Sequence, residues 1–246
     1  MALRLPRRGG PAAGALGPTG STSRALAAGR PGSRQLGRFR DLLGDRRWAR
    51  PRLGLVLAAV GMGTFWGVGV AGQDLAVEML TRSGVPADEA AEPREVRLRG
   101  VADGRGGLGL LAFGPLAEPS GRRKAFALMH VLALLVVPLT CYGPQTPTQL
   151  MILLPVFGFC ILSIHAGYAV YFPELFPDHL RATGAGFCFN GGRLAAAPIL
   201  VFAGQLKALP GMDLRLAMTL LGLLYLVGLV VLLFLPETRG RALPEG

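Results

Sequence analysis

The sequence predicts an all-α, polytopic membrane protein of about six transmembrane helices behind a disordered N-terminal leader. Three observations carry that reading. Hydrophobic residues make up 51% of the 246-residue chain and charged residues only 17%. The charges gather in breaks between apolar stretches, as expected when helices need lipid and loops need water. Several of the uncharged stretches reach the ~20 residues that cross ~30 Å of hydrocarbon at about 1.5 Å per residue.

A net charge of +11 would raise nucleic acid as a partner in a soluble protein. Here the basic residues flank apolar helices, so they imply a lipid bilayer and exclude nucleic acid. The three cysteines, Cys141, Cys160 and Cys188, lie on or beside separate apolar runs without CxxC spacing. That placement opposes a disulfide framework or zinc site and fits small buried apolar residues.

Residues 1–38 are rich in Arg, Gly, Ala and Pro, and no acidic residue occurs before Asp41. They lack a signal-peptide core and cannot bury enough surface to offset their ordering entropy, so disorder is expected. Residues 39–52, FRDLLGDRRWARPR, are basic and amphipathic. They predict an interfacial segment lying on an anionic membrane face.

The membrane domain is expected over 53–236. Its first span, 53–72, has no charge and carries Gly61, Gly63, Gly67 and Gly69. The GxxxG spacing predicts close helix packing, while Trp66 on that glycine-rich helix is a candidate wall of a substrate cavity. Residues 73–99 are polar and expected outside the bilayer. The second span, 100–117, is weak: Asp103 and Arg105 interrupt it, leaving 106–117 uncharged. Roughly a dozen residues do not cross a bilayer unaided. Spans at 125–142, 149–172, 182–206 and 214–235 follow, with a polar tail at 237–246.

Loop charges set the orientation. From Arg38 onward, the loops on the side of both termini carry twelve Lys or Arg, against six in the opposite loops. The positive-inside rule then places both termini in the cytoplasm of a multi-pass protein of the cell membrane.

Within the spans, His165, Asn190 and Arg193 stand out. A charge near mid-bilayer costs at least ~2.5 kcal/mol by insertion scales, so it normally faces a cavity or partner. Arg193 follows Asn190 by three residues, so both project from one helix face. Either an anion site or a structural pair, for example with Asp103, satisfies this. His165 is a candidate proton relay, since imidazole titrates near neutrality. Tyr168 and Tyr171 read as interface aromatics. No Gly-rich phosphate loop, metal cluster or nucleophile–base pairing is present, so neither an enzyme nor a cofactor is expected.

Three segments read together add more: GPLAEPSGRRK at 114–124, PELFPDHLRATG at 173–184 and PETRG at 236–240. They resemble the cytoplasmic-face motifs of the major facilitator superfamily between helices eight and nine, between ten and eleven, and after twelve. FWGVGVAGQDL at 65–75 looks like the seventh helix of its metabolite–proton and sugar-type members. The resemblance runs from about residue 39 to the end and implies the C-terminal six-helix half of that fold. It implies a secondary transporter working by alternating access, with protons as coupling ion and a small organic solute, such as a sugar or carboxylate, as substrate.

The resemblance also implies a salt-bridge latch on the cytoplasmic side. Residue by residue, it falls on Glu118, Arg122, Arg123, Glu174, Arg181, Glu237 and Arg239. A full pathway then needs a further six helices, from an N-terminal half or a second copy in a homodimer. The alternative is a truncated, non-transporting membrane protein with at most an interaction role.

Overall fold

The computed structural model describes residues 37–86, 107–242 and 244. Most of the leader, the polar stretch 87–99 and the charged part of the weak span, with Asp103, lie outside the described residues. Everything described is helix, turn or coil, as the fold class requires. A short helix α1 (Phe39–Gly44) is followed by single 3₁₀ turns at Arg46–Trp48 and Pro51–Leu53. Then come α2 (Gly54–Arg82), α3 (Leu108–Ser120), α4 (Arg122–Tyr142), α5 (Pro147–Glu174), α6 (Arg181–Lys207), α7 (Leu214–Gly222) and α8 (Leu224–Phe234).

Among the described residues, five helical stretches are long and apolar enough to cross a membrane: Pro51–Arg82, Arg122–Tyr142, Pro147–Glu174, Arg181–Lys207 and Leu214–Phe234. The described part of the weak span is α3, 13 residues long. At about 1.5 Å per residue such a helix covers roughly 20 Å, less than the hydrocarbon thickness. In the opposite direction, α2 runs ten residues past 72, through Asp74 and Glu78 to Arg82.

Packing follows side-chain size. The largest interface is α2 against α6, where small residues let the backbones approach. A methyl group placed on Gly63 would sit 2.9 Å from the Ile199 side chain, and one on Gly192 would strike Ala58. Helix α5 touches α2, α3, α4 and α6, and α7 and α8 close the far side against α2 and α4. The core is aromatic: Phe113, Phe126, Tyr168, Tyr171 and Phe172 are all within 1% of full burial.

Two tyrosines correct the sequence expectation. Tyr168 and Tyr171 are not at a lipid interface but inside the bundle. Their hydroxyls donate to backbone carbonyls of other elements, Tyr168 to Leu57 at 3.1 Å and Tyr171 to Pro236. A buried phenol needs a partner, and these two find one in neighbouring helix ends. In segment 39–52, Leu42 and Trp48 are buried while Phe39 and Leu43 are exposed.

Candidate functional site

The turn between α3 and α4 is a single residue, Gly121, with φ +97° and ψ 154°. That conformation is closed to residues with a Cβ. It also leaves room: a methyl group there would lie 2.8 Å from Oε2 of Glu237. The turn thus admits a carboxylate from the segment after α8 to the first backbone N–H groups of α4.

Glu237 uses that opening. Its Oε1 accepts from the N–H of Arg122 at 2.9 Å and its Oε2 from the N–H of Arg123 at 3.1 Å. Oε1 also accepts from the N–H groups of Thr238 and Arg239, at 3.0 and 3.1 Å. A carboxylate placed there caps a helix N-terminus and lies at the positive end of its dipole. Burial raises the Glu237 pKa, but the N–H groups of Arg239, Arg122, Arg123 and Thr238 lower it, and the net shift is downward.

The Arg122 side chain turns to the end of α5. Its Nη2 lies 2.8 Å from Oε1 of Glu174, and its Nε donates to both carboxylate oxygens at 3.2 and 3.0 Å. Both side chains are mostly covered, 21% and 24% exposed. This forked geometry suits a guanidinium and is stronger than a point contact. Thr238 completes the unit by donating its hydroxyl to Oε2 of Glu174 at 2.6 Å. The start of α4, the end of α5 and the tail after α8 are therefore tied by one network.

Of the seven latch residues predicted, the structure brings Arg122, Glu174 and Glu237 together. Arg123 joins through its backbone N–H, and its guanidinium reaches the Leu233 carbonyl at 3.3 Å. Arg239 contributes a backbone N–H rather than its side chain. Arg181 pairs with Asp178 three residues earlier, outside the network. Glu118 is exposed and forms no ion pair among the described residues. Sequence reasoning missed Thr238, whose place between Glu237 and Arg239 was the available signal.

The intramembrane candidates fall into two separate groups. On α2 and α5, the Trp66, Phe65 and His165 rings form a chain, with centroids 5.2 Å and 4.7 Å apart. Trp66 is 56% exposed, and Nδ1 of His165 donates to the Ile161 carbonyl at 3.2 Å. On α6, Asn190 and Arg193 are both exposed. Among the described residues neither makes a side-chain hydrogen bond or ion pair, and nothing links them to His165.

A third intramembrane group was not anticipated. His130 on α4 is fully buried, its Nδ1 2.8 Å from the Phe126 carbonyl. Its Nε2 and the hydroxyl of buried Tyr225 on α8 have no partner among the described residues. The two rings meet edge to face at 5.7 Å. A lone histidine in an uncharged span was the available signal.

Comparison with known proteins agrees with this architecture. The model of the family described as "Sugar (and other) transporter" matches residues 108–245. Over 139 residues the chain is 30% identical to a metabolite transport protein of Haemophilus influenzae, covering 55% of this chain and 33% of that one. Over 133 residues it is 30% identical to the cis,cis-muconate transport protein of Acinetobacter baylyi, covering 54% and 32%. Human solute carrier family 22 member 11 is 34% identical over 129 residues, covering 51% and 22%. The matched stretch spans about a third of the length of the bacterial relatives. With all three polar turns at the helix ends falling inside the matched residues, the chain belongs to the sugar (and other) transporter family of the major facilitator superfamily.

Proposed function

We propose that this six-helix unit forms one half of a secondary active transporter in the cell membrane, with both termini in the cytoplasm. It alternates access to a small organic solute, and a proton gradient drives the solute's uptake or export. The observation that carries this reading is the Arg122–Glu174–Thr238–Glu237 network. It joins three helix ends at one face of the bundle through polar contacts that must be broken for those ends to separate. The forked, mostly covered Arg122–Glu174 pair holds these ends more firmly than an exposed pair would, and a device that biases two states of similar free energy needs only a modest difference of this kind.

The substrate contact in this reading is Arg193 with Asn190, and the class is a carboxylate or acidic sugar. An exposed guanidinium on a membrane helix supports an anion, and the muconate relative's name is in line with it. His165, backed by Phe65 and Trp66, is the proton relay. A further six helices, from an N-terminal half or a second copy, complete the pathway.

Proteoliposomes of the purified chain test the proposal. A proton gradient is imposed and uptake of labelled mono- and dicarboxylates is followed. Substrate-dependent proton flux that weakens in Arg193→Gln is expected. Flux absent at every substrate, with the chain folded, would exclude transport by two copies of this chain, and flux still absent after co-reconstitution with an N-terminal half would leave the non-transporting reading.

A further inference from the structure

Helix α1 is fastened to the start of α6. The N–H of Gly37 donates to the His179 carbonyl at 2.8 Å, and the Thr183 hydroxyl donates to the Gly37 carbonyl at 2.8 Å. The Phe39 ring meets Phe187 edge to face at 6.4 Å. Between the two helices lies an open groove of ≈ 660 Å³ with walls of Phe39, Ala182, Phe187 and Leu194 and a glycine floor that includes Gly186. It is almost wholly apolar, with Thr183 and Asn190 as its only polar lining residues.

The segment bordering this groove is strongly basic. Residues 37–53 hold six arginines and two aspartates. Asp45 is engaged by Arg47 at 2.7 Å, and Asp41 accepts the backbone N–H of Arg38 at 2.9 Å. The Arg52 guanidinium donates to the carbonyls of Leu43 and Trp48. Arg38, Arg40, Arg46 and Arg50 remain, exposed and without a side-chain partner among the described residues. Beside them Phe39 and Leu43 are 59% and 52% exposed, while Leu42 is buried against the bundle. Apolar side chains exposed among arginines are the signature of a segment at interfacial depth.

We propose that this groove binds one anionic phospholipid, its acyl chain lying between α1 and α6 and its phosphate held by Arg38 and Arg40, which flank Phe39. Charge complementarity selects the occupant. The preceding 36 residues carry six arginines and no acid, so they do not supply the counter-charge. A second copy docking through the same face would set arginines against arginines. An anionic phospholipid brings phosphate and hydrocarbon in the order that rim and groove require. The groove shares Asn190 with the substrate contact proposed above, so lipid and solute would compete there, and lipid retention is therefore read with no solute present.

The test is native mass spectrometry of the purified chain, titrated with phosphatidylglycerol or phosphatidylcholine. Wild type should retain one phosphatidylglycerol in preference to phosphatidylcholine. Arg38→Gln with Arg40→Gln should weaken retention by roughly 25-fold, at about fivefold for each cation near an anionic headgroup. Gly186→Leu fills the groove without striking the fold, since a methyl group there meets only Asn190 at 4.0 Å, and it should abolish tight retention. Arg46→Gln with Arg50→Gln should leave retention within a few-fold. Equal loss in both arginine pairs would show diffuse surface attraction and overturn the site. So would phosphatidylglycerol held by Gly186→Leu as by wild type, or a wild-type dimer that Gly186→Leu dissolves without changing lipid binding.

Discussion

Glu237 and Arg122 meet through the backbone: the carboxylate accepts the N–H of Arg122 at 2.9 Å, while the Arg122 guanidinium reaches away to Glu174 at 2.8 Å. One arginine thereby serves two acids on two elements, and neither acid competes for its charge. Replacing Glu237 by alanine removes a helix cap from α4 and should cost about 1 kcal/mol. Thermal unfolding in detergent, compared with wild type at neutral pH, measures it.

The same contact makes stability depend on pH. The Glu237 carboxyl is held below its ordinary pKa, because four N–H groups outweigh the opposing effect of burial. A depressed carboxylate stabilises the fold above its unfolded pKa, and that contribution is lost as pH falls through the folded value. The melting-temperature gap between wild type and Glu237→Gln should therefore be widest near neutrality and close on acidification. A gap that grows in acid contradicts the assignment.

Gly121 offers a second handle on the network. Alanine there must hold φ near +97° and place its methyl 2.8 Å from Glu237. Holding a residue with a Cβ in that backbone region costs about 1–3 kcal/mol, and the displaced carboxylate adds to it. Chemical denaturation of Gly121→Ala should show a loss larger than that of Glu237→Ala.

Glu174→Gln tests the latch as a moving part. It removes the charge that Arg122 grips but keeps an oxygen for the Thr238 hydroxyl, so the fold should survive. The balance between inward- and outward-facing states should shift, as read by labelling of single cysteines placed on the two faces. Unchanged labelling on both would sink the latch reading.

The buried pair on α4 and α8 separates polarity from packing. Tyr225→Phe removes a hydroxyl without a partner among the described residues, so stability should be unchanged or slightly higher. Gly228→Ala puts a methyl 2.5 Å from Nε2 of His130. Overpacking of that kind costs typically 1–3 kcal/mol. Unfolding midpoints of the two variants should move in opposite directions or, for Tyr225→Phe, stay in place.

Much of the bundle was legible because lipid imposes a crude rule on sequence, that about twenty residues must be free of charge. The stretches 125–142 and 149–172 emerge as α4 and α5 by that rule alone. Latch residues were also legible one by one, from short motifs with local spacing. Their pairing was not, because Arg122 and Glu237 are 115 positions apart and nothing local says that the acid takes a backbone N–H. Tyr171 was misplaced for a similar reason: its acceptor is a carbonyl 65 residues away. Arg181 has an acid within one turn, and Asp178 wins it by proximity.

The cap on α4 also sets an order of assembly. Because the chain is made from its N-terminus, the N–H groups of Arg122 and Arg123 lack this acceptor until residue 237 has been made. Only then does the carboxylate arrive and draw the Thr238 hydroxyl onto Glu174. That end of the bundle closes only after residues 235–238 have been made, and a fusion made immediately after Phe234 would leave it unsealed.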